Sequence, residues 1–222
     1  MKKLVTILFF TLYMGASHAE MSYGISGALT QITASGTETE GGESNIKEVS
    51  HVAVIPSLFV EYNIMDRITV GLDYIPMAAD VSDKVHKRTD TETSVTGTAT
   101  ATTTSRTQTA DAELENHLML YADVMINDES FLKLGAVQVD LNTNESLGTG
   151  SKYGNETING YVVGIGFKRE VGGIGKFMKV ELAFTDYEDI SLNSSVARTG
   201  VSVNNKVTAD LDTTALKISY AF

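Results

Sequence analysis

The chain of 222 residues carries 17 Lys and Arg against 28 Asp and Glu, a formal net charge of −11, and this acidic balance argues against electrostatic binding of nucleic acid. It contains no Cys, which excludes disulfide scaffolds, thiolate metal sites and cysteine nucleophiles. A hydrophobic fraction of 42% argues against wholesale disorder, and the length suits one folded domain.

The first predicted element is a secretory signal peptide over residues 1–19. Two lysines precede an apolar run over residues 4–13, and the small residues Ser17 and Ala19 occupy the −3 and −1 positions of a cleavage site. The apolar run is too short for a membrane anchor, because a spanning helix needs about 20 apolar residues. Cleavage after Ala19 leaves residues 20–222 as the mature domain.

The mature chain is predicted to form eight β-strands. Apolar and polar residues alternate with a period of two in eight stretches rich in Val, Ile, Leu, Thr and Tyr, which is typical of half-buried strands. In the fifth stretch the alternation changes phase, and we predict a bulge near Ala136 that reconciles its two parts. The stretches are 21–32, 51–63, 67–78, 114–127, 131–142, 160–168, 176–187 and 208–222.

Several features indicate that the strands close into a barrel with the polar face inside. The polar face is rich in small residues, as a narrow lumen requires. Short turns alternate with long connections, as in barrels with short periplasmic turns and long outer loops. The predicted fold class is therefore all-β, an eight-stranded antiparallel up-and-down transmembrane β-barrel. Pro56 departs from this pattern, because proline removes a ladder hydrogen bond in a closed barrel.

The charges on the inward face nearly balance. An uncompensated buried charge costs several kcal/mol, so acids and lysines are expected to pair across the lumen, fill it and limit conduction. Lys217 is expected to pair with Glu181 or Glu61. The predicted charge network consists of Glu61, Asp73, Asp123, Lys133, Lys168, Lys179, Glu181 and Lys217.

Aromatic residues on the apolar face fall at the strand ends. Two aromatic girdles that flank an aliphatic band are typical of a barrel in lipid. At the end where the mature chain starts the girdle includes Tyr23, Tyr62 and Phe167. At the other end it includes Tyr74, Tyr161 and Phe184.

The last strand ends in the alternating run Leu216, Ile218, Tyr220 and Phe222. With this run and its strand pattern, the chain resembles the small eight-stranded outer-membrane barrels of Gram-negative bacteria, the OmpA transmembrane-domain and OmpX-like group. The resemblance implies recognition of the four residues as an assembly signal by the barrel-assembly machinery. It also implies an integral monomer of the outer membrane that meets periplasmic chaperones during transit and contacts lipid and lipopolysaccharide once inserted.

The longest predicted loop holds a Thr-rich run over residues 89–109. Thr favours strands and is well solvated, so the run could extend two barrel strands as a hairpin. Two roles remain open for it. One is a solvated loop that shields the cell surface, which we favour, and the other is an adhesive edge that captures an extended partner by strand addition.

The expected role is structural, surface-interacting or adhesive, with no cofactor and no metal. Two alternatives are a lipid A modifying enzyme and a minor pore for small solutes. His51 and His117 share the inward phase near the outer rim, where such an enzyme would place a base. Neither histidine lies in a deacylase-like or protease-like motif, so catalysis is not expected.

Overall fold

The computed structural model describes residues 21–40, 43–94, 102–146, 151–173, 175–195 and 204–222. The predicted signal peptide, residues 1–19, lies outside these ranges. Within them, no helix is long and apolar enough to cross a membrane. The strands are β1 (Met21–Glu40), β2 (Glu43–Met65), β3 (Ile68–Ile75), β4 (Ala79–Asp80), β5 (His86–Ser94), β6 (Thr102–Ala110), β7 (Ala112–Met125), β8 (Ser130–Thr143), β9 (Glu156–Glu170), β10 (Phe177–Tyr187), β11 (Ile190–Asn193) and β12 (Lys206–Ala221).

Eight of these strands form a closed antiparallel barrel in the order β1-β2-β3-β7-β8-β9-β10-β12. The barrel closes through β12 and β1, whose ladder runs from the pair Gly24 and Ala221 to the pair Thr39 and Lys206. The predicted eight-stranded barrel is therefore confirmed, and each predicted stretch falls on one barrel strand. By the usual rule, the end with the short turns faces the periplasm.

β1 and β2 are much longer than the sequence pattern predicts, and β9 extends six residues beyond its predicted stretch. β1 and β2 continue as a paired ribbon up to Glu40 and Glu43, and β12 follows β1 to the same height. The added segments are rich in Thr, Ser and Glu and lack a continuous apolar face. Backbone pairing extends them, and Ala34 and Val49 also pack against buried apolar residues inside the barrel.

The phase change in β8 has a different cause from the predicted bulge. β8 keeps one register with β9 along its length, so the bulge near Ala136 is wrong. The irregularity lies in β7, between Glu115 and Leu118. In β8 the inward face itself turns apolar, because Val137 and Val139 point into the lumen and are 3% and 0% exposed. The sequence pattern shifts phase there without a change in backbone register.

The lumen consequently has two halves of different composition. Charged side chains fill the periplasmic half, and an apolar cluster lines the outer half. The sequence predicts the polar face inside, and the apolar outer half departs from that expectation. The buried members of that cluster include Ile32, Val81, Leu114, Met119, Val137, Val139, Leu141, Ile158, Val162, Tyr187, Ile190 and Leu211.

The barrel wall is incomplete between β2 and β3, a gap that we call the seam. The β2–β3 ladder ends at the pair Leu58 and Tyr74. Above it, β4 pairs with β7, and among the described residues segment 43–57 of β2 pairs only with β1. Continued by two residues, the register would place Pro56 opposite Pro76, the only two prolines of the chain. Neither has an N–H group, so the ladder cannot continue through them.

The Thr-rich run forms a separate two-stranded sheet outside the barrel. β5 and β6 pair with each other from His86 and Ala110 to Ser94 and Thr102. Residues 95–101 lie outside the described ranges. Thr109 of β6 also forms a backbone bridge with Ser146, which follows β8, so the hairpin is joined to the top of the barrel wall and extends above it.

Candidate functional site

Lys179 stands at the centre of the periplasmic half of the lumen and is 1% exposed. Its Nζ donates hydrogen bonds to Glu61 Oε1 and to Asp123 Oδ2, the latter at 2.9 Å. The Tyr121 hydroxyl donates to the same Glu61 oxygen at 2.7 Å. These contacts join β2, β7 and β10 across the lumen, and one ammonium serves two buried carboxylates.

Lys133 of β8 forms a second buried ion pair. Its Nζ lies 2.7 Å from Glu181 Oε2 and 3.8 Å from Asp123 Oδ1. It also lies 3.9 Å from the centroid of the Tyr121 ring, which is a cation–π distance. Lys133 and Glu181 are each 2% exposed. Such burial is tolerable because each charge has an opposite partner.

Lys217 of β12 pairs with Asp73 of β3, at 2.5 Å between Nζ and Oδ2. The predicted partners, Glu181 and Glu61, are therefore wrong. Glu181 does lie directly across the β10–β12 ladder from Lys217, but its carboxylate turns to a lysine on β8. Glu61 is held by a lysine on β10. Because Glu181 and Glu61 bond other lysines, Lys217 pairs with Asp73. Asp73 lies on β3, and its distance along the sequence gives no sign of this contact.

Lys168 completes the set at the periplasmic rim, where its side chain is 21% exposed. Its Nζ lies 3.6 Å from Glu61 Oε2 and 3.9 Å from the centroid of the Phe177 ring. The structure thus places all eight residues of the predicted charge network inside the barrel. We call this set, with Tyr121, the charged plug.

Aromatic rings on the inward face pack around the plug. The Tyr121, Phe131 and Phe177 rings all lie within 6 Å of Lys179 Nζ. Glycines at the paired positions of the neighbouring strands leave room for two of these rings. A Cβ added at Gly71 would collide with Tyr121, and one at Gly166 would collide with Phe131. Inward glycines opposite inward aromatics are the signal that could have located this packing.

A cavity lies above the plug, on the outer side. Its empty volume is about 730 Å³, including the space at its mouth. Asp73, Glu181 and Lys217 of the plug form its charged floor, and aliphatic side chains form most of its wall. The wall residues include Ala28, Ile32, Ile55, Ile75, Met77, Ala79, Leu114, Met119, Val162, Ala183, Tyr187 and Ala215. An apolar cavity with a few convergent polar groups has the usual composition of a small-molecule site.

The cavity extends to the seam. Ile55 lines it from β2, and Ile75 and Met77 line it from the opposite side of the gap. Val54, on the outer surface next to the gap, is 77% exposed, and Met77, which lines the cavity, is 58% exposed. Apolar side chains therefore border the seam on its inner and outer faces, and the chain holds no backbone ladder between them.

Two polar side chains at the cavity have atoms without hydrogen-bond partners. Asp73 Oδ1 and His117 Nδ1 are buried and unbonded among the described atoms. Asp73 is 2% exposed, and both residues line the cavity. The other oxygen of Asp73 is used twice, by Lys217 and by the Ser57 hydroxyl at 3.1 Å.

The outer face of the barrel is an exposed apolar band. Contiguous apolar surface of this extent is incompatible with a water-facing surface and has to meet lipid. The band ends outward in polar pairs, among them Thr157 Oγ1 donating to Asp140 Oδ1 at 2.6 Å. Its exposed members include Ile25, Leu29, Leu58, Leu120, Leu132, Leu134, Val163, Ile165, Val180, Leu182, Leu216 and Ile218.

The residues predicted as girdles lie on this outer face, with one partial exception. Tyr62 is half-buried, and its hydroxyl has no described partner. The other five, Tyr23, Tyr74, Tyr161, Phe167 and Phe184, are exposed by 40% to 76%.

The predicted assembly residues include two band members, Leu216 and Ile218, and the terminal aromatic pair. The Phe222 backbone N–H donates to the Tyr23 carbonyl at 2.8 Å. The Phe222 ring lies 6.2 Å from Tyr23 and 5.1 Å from Tyr220, between ring centroids. The C-terminus is thereby fixed to the first strand at the periplasmic rim.

Comparison with solved structures identifies proteins that share this fold. OprG of Pseudomonas aeruginosa is 10% identical, the match covers 90% of this chain and 96% of OprG, and the TM-score is 0.50. That likeness is one of fold alone. The fold is that of an outer-membrane β-barrel. With its lipid-facing apolar band, the protein is an integral protein of the Gram-negative outer membrane.

Two further solved structures are similar over most of their length. AlkL, solved in lipid bilayers, is 11% identical, with 93% of this chain and 92% of AlkL covered and a TM-score of 0.48. Ail of Yersinia pestis is 12% identical, with 90% and 99% covered and a TM-score of 0.33. No family model and no curated protein matches the sequence.

Catalytic and metal-binding arrangements were sought in the described ranges. Ser82 Oγ and His86 Nε2 are 3.0 Å apart, but the hydroxyl also contacts the Lys84 carbonyl and amide, which is the pattern of a local turn. No described carboxylate orients His86. His117 Nδ1 is unbonded, and His51 does not line the cavity. No described group of three or more His, Asp or Glu side chains could hold a metal ion.

Proposed function

We propose that this barrel admits small apolar molecules from outside and releases them sideways into the outer leaflet through the seam. The observation that carries the proposal is the cavity, with an empty volume of about 730 Å³ including its open mouth, which reaches the seam at Ile55 and Met77. An apolar molecule is stabilised in such a cavity by about 25 cal/mol for each Å² of its surface that is removed from water. Lipid offers a similarly apolar environment, so a molecule that leaves sideways does not have to cross the charged plug.

The charged plug supports an exit into the membrane over passage to the periplasm. Directly below the cavity, paired charges and rings occupy the lumen, and Lys179 and Lys133 are 1% and 2% exposed. An apolar molecule that crossed this layer would have to separate buried ion pairs. For the same reason, planar-bilayer recordings are expected to show small and infrequent openings at most.

Crosslinks across the seam test this function. The chain has no Cys, so Ile55→Cys with Met77→Cys gives a unique pair that a short bis-maleimide can join across the gap. The matched control is Leu58→Cys with Tyr74→Cys, which face each other where the ladder is already closed. Uptake of a labelled apolar compound by cells should fall after crosslinking in the seam pair and stay unchanged in the control. Equal uptake in crosslinked and uncrosslinked seam variants would refute lateral release.

A surface-interaction role for the Thr-rich hairpin is a second candidate. β5 and β6 form their own sheet, and Thr89 Oγ1 and Thr107 Oγ1 are 3.2 Å apart on its surface. An exposed two-stranded sheet offers edges for strand addition. Cells with the hairpin deleted should lose adhesion to host or abiotic surfaces while keeping apolar uptake. Retained adhesion would remove this role.

We also propose that the barrel is monomeric, contacts lipopolysaccharide, passes periplasmic chaperones and is assembled through its last strand. Support comes from the alternating run in β12 and the docking of Phe222 on Tyr23. Tyr220→Asp should lower the amount of folded protein in cells, whereas Lys206→Asp at the outer end of β12 should not. Equal folded amounts in the two variants would contradict the assembly role.

A further inference from the structure

The floor of the cavity holds a hydrogen-bond acceptor that the protein leaves unused. Asp73 is 2% exposed, and its Oδ1 has no partner among the described atoms. His117 stands beside it on the neighbouring strand, since the β3–β7 ladder pairs Asp73 with Met119 and Ile75 with His117. Its Nδ1 is likewise unbonded. Buried polar groups are normally bonded, so two unbonded groups at one cavity need a reason.

Two donors already bond Asp73, and neither bonds its Oδ1. Lys217 Nζ and the Ser57 hydroxyl both bond the other oxygen of Asp73, Oδ2. An ionised carboxylate only accepts hydrogen bonds, and a neutral imidazole nitrogen accepts in one tautomer and donates in the other. A ligand group that donates a proton to Asp73 and can also accept from His117 would satisfy both. A hydroxyl group does this.

We infer that the cavity selects straight-chain molecules with a hydroxyl head, which lies at Asp73 and His117 while the aliphatic chain packs against Ile32, Leu114 and Val162. This inference rests on the proposed function and names the class of molecule for it. A carboxylate head is disfavoured, because the floor holds the two carboxylates of Asp73 and Glu181 against the single ammonium of Lys217, which already pairs with Asp73. An alkane or ether leaves Asp73 Oδ1 without a donor, and sites built around a hydrogen bond reject analogues that cannot make it.

The NMR signals of the native methionine methyl groups can report binding, so no probe has to be introduced into the cavity. Met77 and Met119 line it, whereas Met21 and Met178 lie on the outer face and report partition into lipid. Protein with isotope-labelled methionine methyls in lipid nanodiscs is titrated with decyl alcohol, its isomer methyl nonyl ether, and decanoate. The alcohol should shift the Met77 and Met119 signals at about tenfold lower concentration than the ether or decanoate. The Met21 and Met178 signals should respond alike to alcohol and ether.

Two variants locate the preference. Asp73→Leu with Lys217→Met removes the acceptor together with its ion-pair partner, so neither charge is left buried alone. It should bind alcohol and ether equally. Thr185→Val removes another polar group that lines the cavity and should keep the preference. Heat-modifiable gel migration confirms folding of each variant.

The outcomes separate the two proposals. If alcohol and ether shift Met77 and Met119 at equal concentrations in the unmodified protein, or if the preference survives in the double variant, the hydroxyl inference is wrong while the cavity remains a binding site. If neither compound shifts these signals, the proposed function fails and the inference fails with it. A preference that the double variant loses and Thr185→Val keeps supports the inference.

Discussion

The two halves of the lumen share the same strands and the same inward phase but differ in how they are filled. In the periplasmic half, Lys179, Lys133 and their acids contact one another directly, with rings packed around them. In the outer half, Ile32 and Val162 are 1% and 2% exposed and line the cavity. Paired charges need close contact to offset their desolvation, whereas an apolar wall can surround a hollow. The periplasmic half is therefore closed to passage, whereas the outer half has room for a bound molecule.

The largest effect is expected from Lys179→Met. Loss of this ammonium leaves Glu61 and Asp123 without their shared donor, and removing one partner of a buried pair costs about 3–5 kcal/mol. The free energy of unfolding, measured by urea titration in lipid vesicles with gel migration as the readout, should fall by that amount. Lys168→Met is the control at the partly exposed rim, where about 1 kcal/mol or less is expected. Equal losses would contradict a central role for Lys179.

Lys217→Met should destabilise the barrel by about 2–4 kcal/mol, because Asp73 keeps a buried charge with only the Ser57 hydroxyl beside it. Adding Asp73→Leu should restore much of that loss in the same urea titration. Adding Glu181→Leu instead should restore none, since Glu181 pairs with Lys133. A rescue by Glu181→Leu and not by Asp73→Leu would show that the pairing in the structure is wrong.

A smaller effect is expected at the seam. Pro56→Val with Pro76→Val returns two N–H donors, and each new ladder bond is worth about 1 kcal/mol. The double variant should unfold at higher urea and take up apolar compounds more slowly, which would make the outer half resemble the sealed half. Pro76→Val alone returns a donor on one side only and should give a lesser change. Faster uptake in the double variant would contradict the seam as the exit.

The smallest effect is expected from the hairpin. Joining Lys87 to Gln108 with a short glycine linker removes most of β5 and β6, including residues 89–107 of the Thr-rich run. Loop length changes closure entropy by about 0.6 kcal/mol for each doubling, so stability should change by less than about 1 kcal/mol. The same urea titration measures it. A large loss would mean that the hairpin packs on the barrel.

The sequence predicted the strands, the inward face and the charged residues because period-two alternation and charge balance can be read within each stretch. It did not predict the partner of Lys217. That choice depends on the stagger of strands around the barrel and on competition with Lys133 for Glu181, both properties of the closed fold. The hollow outer half was also missed. In β8, the apolar residues Val137 and Val139 were interpreted as a change of phase at a bulge, because the inward face of that strand was expected to stay polar.

Pro56 is a single residue whose role could not be read from its own strand, because it depends on the strand across from it. Read in sequence, it conflicted with a closed barrel, and in the structure it lies where β2 has no partner on one side. The conflict marked a real interruption of the wall. A proline that breaks an otherwise regular strand pattern was therefore the one sequence signal for the seam, and it gained meaning only with Pro76 across from it.

The closing pair of strands has a mechanical consequence. The β1–β12 ladder continues from Gly24 to Thr39, whereas the β2–β3 ladder spans only Leu58 to Met65. A force that pulls the wall apart has fewer backbone bonds to break at the internal junction than at the junction between the chain ends. Under tension or osmotic stress the cylinder should therefore tear along β2 and β3, and the two ends of the chain should stay joined until last.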